Sequence, residues 1–327
     1  MDLTINPSQY ASPVDYARYG HYGRGRGVDR GSGWSRPRYQ FQGRITADGS
    51  SGWRAEPARY HLYIAWSCPW SQRTAIVRKL KALENIVSLS YVDDERDGRG
   101  WAFRERRGPD PINGFTLLAQ AYEATEPGYD GHISVPVLWD RKTGTIVSNN
   151  FPDITLDLGH AFDAWDDASI DLYPPELRPE IDALNDYLYE SINWRPYQIA
   201  GTVTQQDYER LRRGMIANFE HLDVRLADRR YLFGDRITES DVRLWPTLAR
   251  YDVFYNPMAG ISEHHHLTDF PHLWRYARDL YQQPAFNETT DFAVLVKATE
   301  RPRPSFVNSA PWRLEVEPHR VEWERPA

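Results

Sequence analysis

The feature that most constrains this chain is a cysteine between two short periodic segments. Residues 60–65 have the aromatic and branched composition of a buried strand, and residues 72–83 repeat apolar side chains at nearly helical spacing. Cys68 and Pro69 stand between them, and proline suits a first helical turn, where its missing N–H is not needed. A further apolar segment, 86–92, completes strand, turn, helix and strand. The sequence therefore predicts the opening of a parallel β-α-β unit.

The position of Cys68 predicts a reactive thiol. A side chain at this junction faces the first helical turn, whose partial positive charge stabilises the thiolate, the nucleophilic form. Arg73 lies one turn further on and adds positive potential. A lone cysteine is often a buried structural residue, but Pro69 directly after it favours the reactive interpretation.

A hairpin and a helix are predicted further along the chain. Residues 93–131 are polar and rich in glycine, and we expect a loop there. Residues 135–147 contain two apolar segments on either side of a polar turn, which predicts a hairpin, and a helix is expected over 150–163. Pro136 would cost the sheet a hydrogen bond. A cis peptide bond before it would expose the backbone of Val135 to a peptide-like ligand.

The second half of the chain has helical periodicity. Four amphipathic helices are expected between about residues 174 and 300, and Thr238 with Asp241 resembles a capping box at the start of one of them. The proposed domain boundaries are therefore 59–165 for the α/β part and 174–300 for the all-helical part.

Extended segments are expected at both ends. Residues 1–58 are rich in Gly, Arg, Tyr, Ser and Pro, and we interpret them as an arm on the surface of its own domain. The alternative is a basic arm that contacts an anionic ligand or nucleic acid. The proline-containing tail, 301–327, is expected to be extended as well.

Composition limits the class of partner. The net charge of −7 argues against nucleic acid as the main partner. No secretory signal is predicted, and no apolar stretch approaches the roughly 20 residues that span a bilayer, so no membrane partner is expected. With a single cysteine in its 327 residues, the chain is expected to be cytoplasmic, with that thiol reduced. The consecutive histidines 264–266 lack further ligands at suitable spacing, so no metal is expected.

Taken together, these segments resemble the glutathionyl-hydroquinone reductases, also called xi-class glutathione transferases. The resemblance extends over roughly residues 34–290, and it is carried by Arg59-Tyr60-His61-Leu62-Tyr63, Cys68-Pro69-Trp70, Arg73-Thr74, Val135-Pro136-Val137-Leu138-Trp139-Asp140, Ile146-Val147-Ser148-Asn149, Tyr231-Leu232-Phe233-Gly234-Asp235, Arg250-Tyr251-Asp252-Val253 and Phe270-Pro271-His272-Leu273-Trp274.

The resemblance implies a thioredoxin-like N-terminal domain, an all-helical C-terminal domain and a homodimer. It also implies that the thiolate of Cys68 attacks the sulfur of a thiol–quinone conjugate, so that the hydroquinone leaves and a mixed disulfide forms. Tyr197 and Tyr255 would donate to the leaving phenolate oxygen. The implied thiol-binding set is Pro69, Trp70, Arg73, Trp101, Val135, Pro136, Ser148, Asn149 and Asn150.

The chain departs from the family where glutathione is held. After Ser148 and Asn149 the family has Glu-Ser, whose carboxylate and hydroxyl bind the γ-glutamyl end, whereas this chain has Asn150 and Phe151. Losing one charge-assisted hydrogen bond costs about 1.5–3 kcal/mol, or roughly ten- to hundredfold in affinity. An apolar Phe151 and an uncharged Asn150 suit an uncharged thiol. The expected cosubstrate is therefore a low-molecular-weight thiol, glutathione or mycothiol, and these two residues favour mycothiol.

The sequence is also compatible with two functions other than that of a reductase. The same site would also serve a thiol S-transferase, or an enzyme that forms or cleaves C–S bonds on another electrophile. Arg195-Pro196 replaces the family's Gly-Val before the first tyrosine, and the family's His-Tyr-Tyr segment is absent after Phe292, which points to an altered quinone pocket. The third possibility is a non-catalytic scaffold that keeps the fold.

Overall fold

A computed structural model describes residues 9–22, 39–165, 170–301 and 306–323. The chain divides into two compact units. The first contains the described residues up to 165 except 75–81, and the second contains residues 75–81 and those from 170 onward. The glycine- and arginine-rich stretch 23–38, together with Pro302 and Pro304 of the expected tail, lies outside the described residues.

The first unit is built on a four-stranded sheet. Its strands are β3 (Tyr60–Ile64), β4 (Ser88–Tyr91), β5 (Val137–Asp140) and β6 (Thr145–Ser148), and a separate parallel pair is formed by β1 (Ile45–Thr46) and β2 (Trp53–Arg54). The strand order is β4-β3-β5-β6, with β3 parallel to β4 and antiparallel to β5. The predicted β-α-β unit and hairpin are therefore confirmed.

The helices of the N-terminal half are α1 (Tyr16–Tyr19), α2 (Pro69–Leu80), α3 (Ala119–Thr125) and α4 (Phe151–His160), and all but the second half of α2 belong to the first unit. Helix α2 connects β3 to β4, and α4 confirms the helix expected after the hairpin. Helix α3 corrects the prediction of a loop throughout residues 93–131. The helix has seven residues and no side-chain cap at its start, and only Ala121 and Tyr122 are buried. Two adjacent apolar positions do not form a repeat at helical spacing, so the sequence gives no signal for this helix.

The described parts of the N-terminal arm are attached to the first unit. The Ala11 N–H donates to the Phe103 carbonyl at 2.9 Å, and the Tyr22 hydroxyl accepts the Ile133 N–H at 3.0 Å. These contacts fit an arm lying on its own domain, although the one-turn helix α1 departs from a fully extended arm.

The second unit is helical in its described residues. Its α-helices are α5 (Arg178–Leu188), α6 (Arg195–Gly201), α7 (Gln205–Arg225), α8 (Glu239–Arg250), α9 (Asn256–Ala259), α10 (Pro271–Tyr281), α11 (Pro284–Asn287) and α12 (Phe292–Thr299). The capping box is confirmed, because the Asp241 carboxylate accepts the Thr238 N–H at 2.7 Å. A thioredoxin-like α/β unit followed by a helical unit is the fold class that the sequence predicts.

No helix among the described residues is both long and apolar enough to cross a membrane. Within the same part of the chain, no three His, Cys, Asp or Glu side chains are grouped so that they could hold a metal ion. Two of the three consecutive histidines have polar neighbours: the His265 imidazole lies 2.8 Å from the Ser262 hydroxyl, and that of His266 lies 3.1 Å from the Asp252 carboxylate.

Candidate active site

Cys68 immediately precedes the first residue of α2, as the sequence predicts. Its sulfur accepts the Ser71 N–H at 3.4 Å, which places it at the N-terminal turn of the helix. The thiol also donates to the Val135 carbonyl oxygen, with 3.5 Å between the two atoms. The side chain is 9% exposed, so the sulfur is largely sheltered from solvent.

The peptide bond between Val135 and Pro136 is cis, the conformation that the sequence left open. Val135 stands just before β5, beside Cys68 through the contact of its carbonyl group. Its N–H makes no hydrogen bond to any described residue, although Val135 is 4% exposed. Since buried backbone N–H groups are almost always paired, this one is suited to a ligand that brings its own acceptor.

A stack of two rings and one guanidinium lies at the starts of α2 and α4. The rings of Trp70 and Phe151 are 4.8 Å apart at 24°, and the Arg73 guanidinium lies 4.6 Å from the Trp70 ring and 5.0 Å from the Phe151 ring. Phe151 is 1% exposed. The sequence-based interpretation placed Phe151 against the ligand. The structure corrects this, because the ring is buried in packing with Trp70.

The end of the hairpin is hydrogen bonded to the segment before β1. The Asn149 amide oxygen accepts the Phe41 N–H at 3.1 Å, and the Ser148 hydroxyl donates to the Phe41 carbonyl at 3.3 Å. The same hydroxyl accepts the Asn150 N–H at 3.0 Å. Both predicted thiol-binding side chains, Ser148 and Asn149, therefore have partners within the protein, and their predicted contact with a thiol stays a prediction.

Asn150 remains partly exposed at the N-terminus of α4. Its amide donates to the Asp153 carboxylate at 2.6 Å, and the Arg44 guanidinium lies 3.3 Å from that carboxylate. Asp153 is a residue that sequence reasoning missed. It lies one helical turn after Asn150, so the i, i+3 spacing was the available signal.

Trp101 is 6% exposed and contacts a cation that the sequence did not single out. The Arg96 guanidinium lies 4.0 Å from the Trp101 ring and 4.9 Å from the Tyr22 ring. This position between two rings is typical of a cation–π contact, and it attaches the arm to the segment that carries Trp101. No sequence signal linked Arg96 to Trp101.

The two predicted tyrosines come together in the helical unit. Tyr197 lies on α6, and Tyr255 ends the π-helical turn Tyr251–Tyr255. Their hydroxyl oxygens are 3.2 Å apart, and the ring of Phe306, in the described tail, is 6.0 Å from that of Tyr197. A paired hydroxyl is a good donor to a developing phenolate, because its partner can supply the second hydrogen bond.

A family model, curated proteins and solved structures all relate this chain to the glutathione transferases. Residues 205–279 match the family model "Glutathione S-transferase, C-terminal domain". The chain is 35% identical over 303 residues to glutathionyl-hydroquinone reductase YqjG of Escherichia coli, covering 88% of this chain and 92% of that protein. It is 38% identical over 247 residues to glutathionyl-hydroquinone reductase PcpF of Sphingobium chlorophenolicum, covering 75% and 77%. The glutathione-bound structure of YqjG superposes with a TM-score of 0.76, covering 88% of this chain and 96% of that chain.

Proposed function

Because the chain belongs to the glutathionyl-hydroquinone reductases, the xi class of glutathione transferases, we propose that it is a thiol-dependent reductase of thiol-conjugated hydroquinones. The observation that carries this proposal is the position of Cys68. Its sulfur accepts an amide N–H of α2 and lies beside Val135, whose own N–H has no partner among the described residues.

The proposed reaction has two steps. The Cys68 thiolate attacks the thioether sulfur of the conjugate, a sulfur–sulfur bond forms, and the carbon–sulfur bond breaks. The ring carbon takes the electron pair and a proton, so the hydroquinone leaves and a mixed disulfide remains on Cys68. A second thiol attacks that disulfide, releases the thiol dimer and restores the Cys68 thiolate. Two thiol sulfurs are oxidised and the ring carbon is reduced, so the electrons balance.

The surrounding residues would bind and orient the conjugate. We propose that the backbone of Val135 hydrogen bonds an amide group of the thiol, and that Trp70 and Trp101 pack against the thiol. Tyr197 and Tyr255 would hydrogen bond the phenolic oxygen of the aromatic part, which makes the hydroquinone a better leaving group.

For the thiol we propose mycothiol rather than glutathione. Asn150 offers an amide where a carboxylate would be needed for an ammonium group. The nearest carboxylate on α4, that of Asp153, already has the Asn150 amide and the Arg44 guanidinium as partners. An uncharged sugar-based thiol needs no such carboxylate, and an amide can hydrogen bond its hydroxyl groups.

Turnover of matched conjugates tests both the proposed reductase activity and the proposed choice of thiol. The purified chain is given one hydroquinone conjugated to glutathione or to mycothiol, with the matching free thiol, and the release of hydroquinone is measured. We expect faster turnover with mycothiol, no turnover by Cys68→Ala, and an adduct of the thiol on Cys68 in the intact mass. Absence of turnover with both thiols would refute the function. A product that keeps the thioether would instead favour a C–S bond-forming enzyme.

We also propose that the chain forms a homodimer, as its family resemblance implies. Light scattering after size exclusion gives the mass of the particle in solution, which distinguishes a dimer from a monomer.

A further inference from the structure

The turn that carries Cys68 is held by a carboxylate from the segment after β4. The Ser67 N–H donates to one oxygen of Asp94 at 2.7 Å. The other oxygen of Asp94 accepts two hydrogen bonds from the Arg107 guanidinium, at 3.1 Å from Nε and 2.6 Å from Nη2. The Asp94 side chain is 1% exposed and that of Arg107 is 19% exposed, so this pair is mostly shielded from water.

The Ser67 amide fixes the backbone one residue before the nucleophile. The Cys68 N–H donates to the Ala65 carbonyl at 3.2 Å, so residues 65–68 form a tight turn between β3 and α2. The bond from Ser67 to Asp94 ties this turn to a neighbouring segment. The direction in which Cys68 leaves the turn therefore depends on Asp94, and that direction sets the contact of its sulfur with the Ser71 N–H.

The same pair affects the charge near the sulfur. A carboxylate that is hydrogen bonded to the residue before a thiolate disfavours the negative form of the sulfur. A guanidinium bonded to that carboxylate offsets much of its electrostatic field. Arg73 of α2 adds a further positive charge on this helix, and its guanidinium packs on the Trp70 ring at 4.6 Å. The ionisation of Cys68 should therefore depend on whether Asp94 and Arg107 are both present.

We propose that Asp94 and Arg107 are a positioning pair for Cys68: Asp94 holds the turn through Ser67, and Arg107 neutralises the carboxylate that does so. The pair deepens the proposed function, since it rests on Cys68 as the nucleophile. Its proposed action is through the Ser67 amide and the local electrostatic field.

The neighbouring pair, Asp93 and Arg106, provides a matched control. Arg106 donates to the Asp93 carboxylate from its Nε at 2.8 Å, and the same carboxylate oxygen accepts the Glu95 N–H at 2.9 Å. This pair is also an aspartate with an arginine, at adjacent positions in the sequence, but its carboxylate bonds within its own segment rather than to Ser67. The Arg104 guanidinium also lies 3.4 Å from the Asp93 carboxylate.

The test follows the rate of Cys68 alkylation by iodoacetamide from pH 5 to pH 10, together with turnover and thermal unfolding. In Arg107→Met the carboxylate is uncompensated, so the rate profile should move to higher pH, with a rate about tenfold lower at pH 7. In Asp94→Asn the guanidinium is uncompensated, so the profile should move to lower pH. Arg106→Met should leave the profile unchanged.

Shifts of opposite sign separate this role from a structural one, because simple loss of packing would not reverse sign between the two partners. The proposal is wrong if both variants shift the profile in the same direction, or if Arg106→Met shifts it as much as Arg107→Met. If Arg107→Met fails to fold, Arg107→Lys is measured instead. This variant keeps the positive charge, so its rate profile must stay near that of the unaltered chain, and a clear shift would contradict the proposal. Alkylation needs no thiol cosubstrate, so failure of the reductase assay would be distinguishable from failure of this proposal.

Discussion

A substitution at Asn150 should shift the preference of the enzyme from mycothiol toward glutathione. Restoring a carboxylate there, as in Asn150→Glu, gives the ammonium group of glutathione a charged partner. One charge-assisted hydrogen bond is worth about 1.5–3 kcal/mol, or roughly ten- to hundredfold in kcat/KM for a glutathione conjugate.

The structure predicts that the single change will fall short of that gain. The Asn150 amide lies 2.6 Å from the Asp153 carboxylate, so a glutamate at position 150 would meet a like charge that only Arg44 partly offsets. Repulsion between two close carboxylates raises the pKa of one of them and leaves less negative charge for the ligand. The double variant Asn150→Glu with Asp153→Asn removes the repulsion, and we expect the full gain only there.

The assay is kcat/KM for the same hydroquinone conjugated to glutathione or mycothiol. Asn150→Gln is the control, since it has the length of glutamate without its charge and should stay close to the unaltered chain. We expect the ratio of the two kcat/KM values to move toward glutathione in the order Gln, Glu, and Glu with Asp153→Asn. Equal ratios for the Glu and Gln variants would refute the assignment of thiol selectivity to this position.

Three other results follow from the structure. Phe151→Ala removes a fully buried ring and should lower the free energy of unfolding by about 3–5 kcal/mol in urea denaturation, and a loss below about 1 kcal/mol would contradict the packing described above. Tyr197→Phe and Tyr255→Phe should each lower kcat about tenfold without changing Cys68 alkylation, and an unchanged kcat in both would remove the tyrosines from the site. Burial alone would raise the pKa of Asp97, but hydrogen bonds from Arg99 and from backbone amides outweigh it and lower the pKa to about 2. Because the pKa of Asp97 is lower in the folded than in the unfolded state, this stabilisation is present above pH 4 and is lost as the pH falls toward 2. In Asp97→Asn the free energy of unfolding should therefore decrease less between pH 5 and pH 2 than in the unaltered chain.

The fold was predictable where periodicity and turn chemistry agree. The junction at Cys68 and Pro69 and the hairpin at 135–147 each combine a hydrophobic pattern with a residue of fixed conformational preference, so little else fits them. Helix α3 was not predictable, because it is short and its two buried residues arise from tertiary packing rather than from a repeated pattern.

The site was predictable only in part. The position of Cys68 before a helix follows from local sequence, since it depends on the immediate neighbours, whereas the sequence left open whether the bond before Pro136 is cis. Asp94 and Arg107 could not be linked to Cys68 from the sequence, because the bond from Ser67 to Asp94 spans 27 residues. Arg107 reaches the turn only through Asp94, which lies 13 residues before it. Such contacts are set by the packing of β4 beside β3, and no local spacing encodes them.

The substitutions at 150 and 151 show why an aligned position is not the same as a ligand contact. Both replace polar family residues, and sequence reasoning therefore gave both a role toward the thiol. In the structure the backbone turns into α4 between them, so the Phe151 ring is buried against Trp70 while Asn150 stays partly exposed. Phe151 stabilises the start of α4 and Asn150 alone can meet a ligand. It follows that a change in thiol preference should come from position 150, whereas changes at 151 should alter stability first.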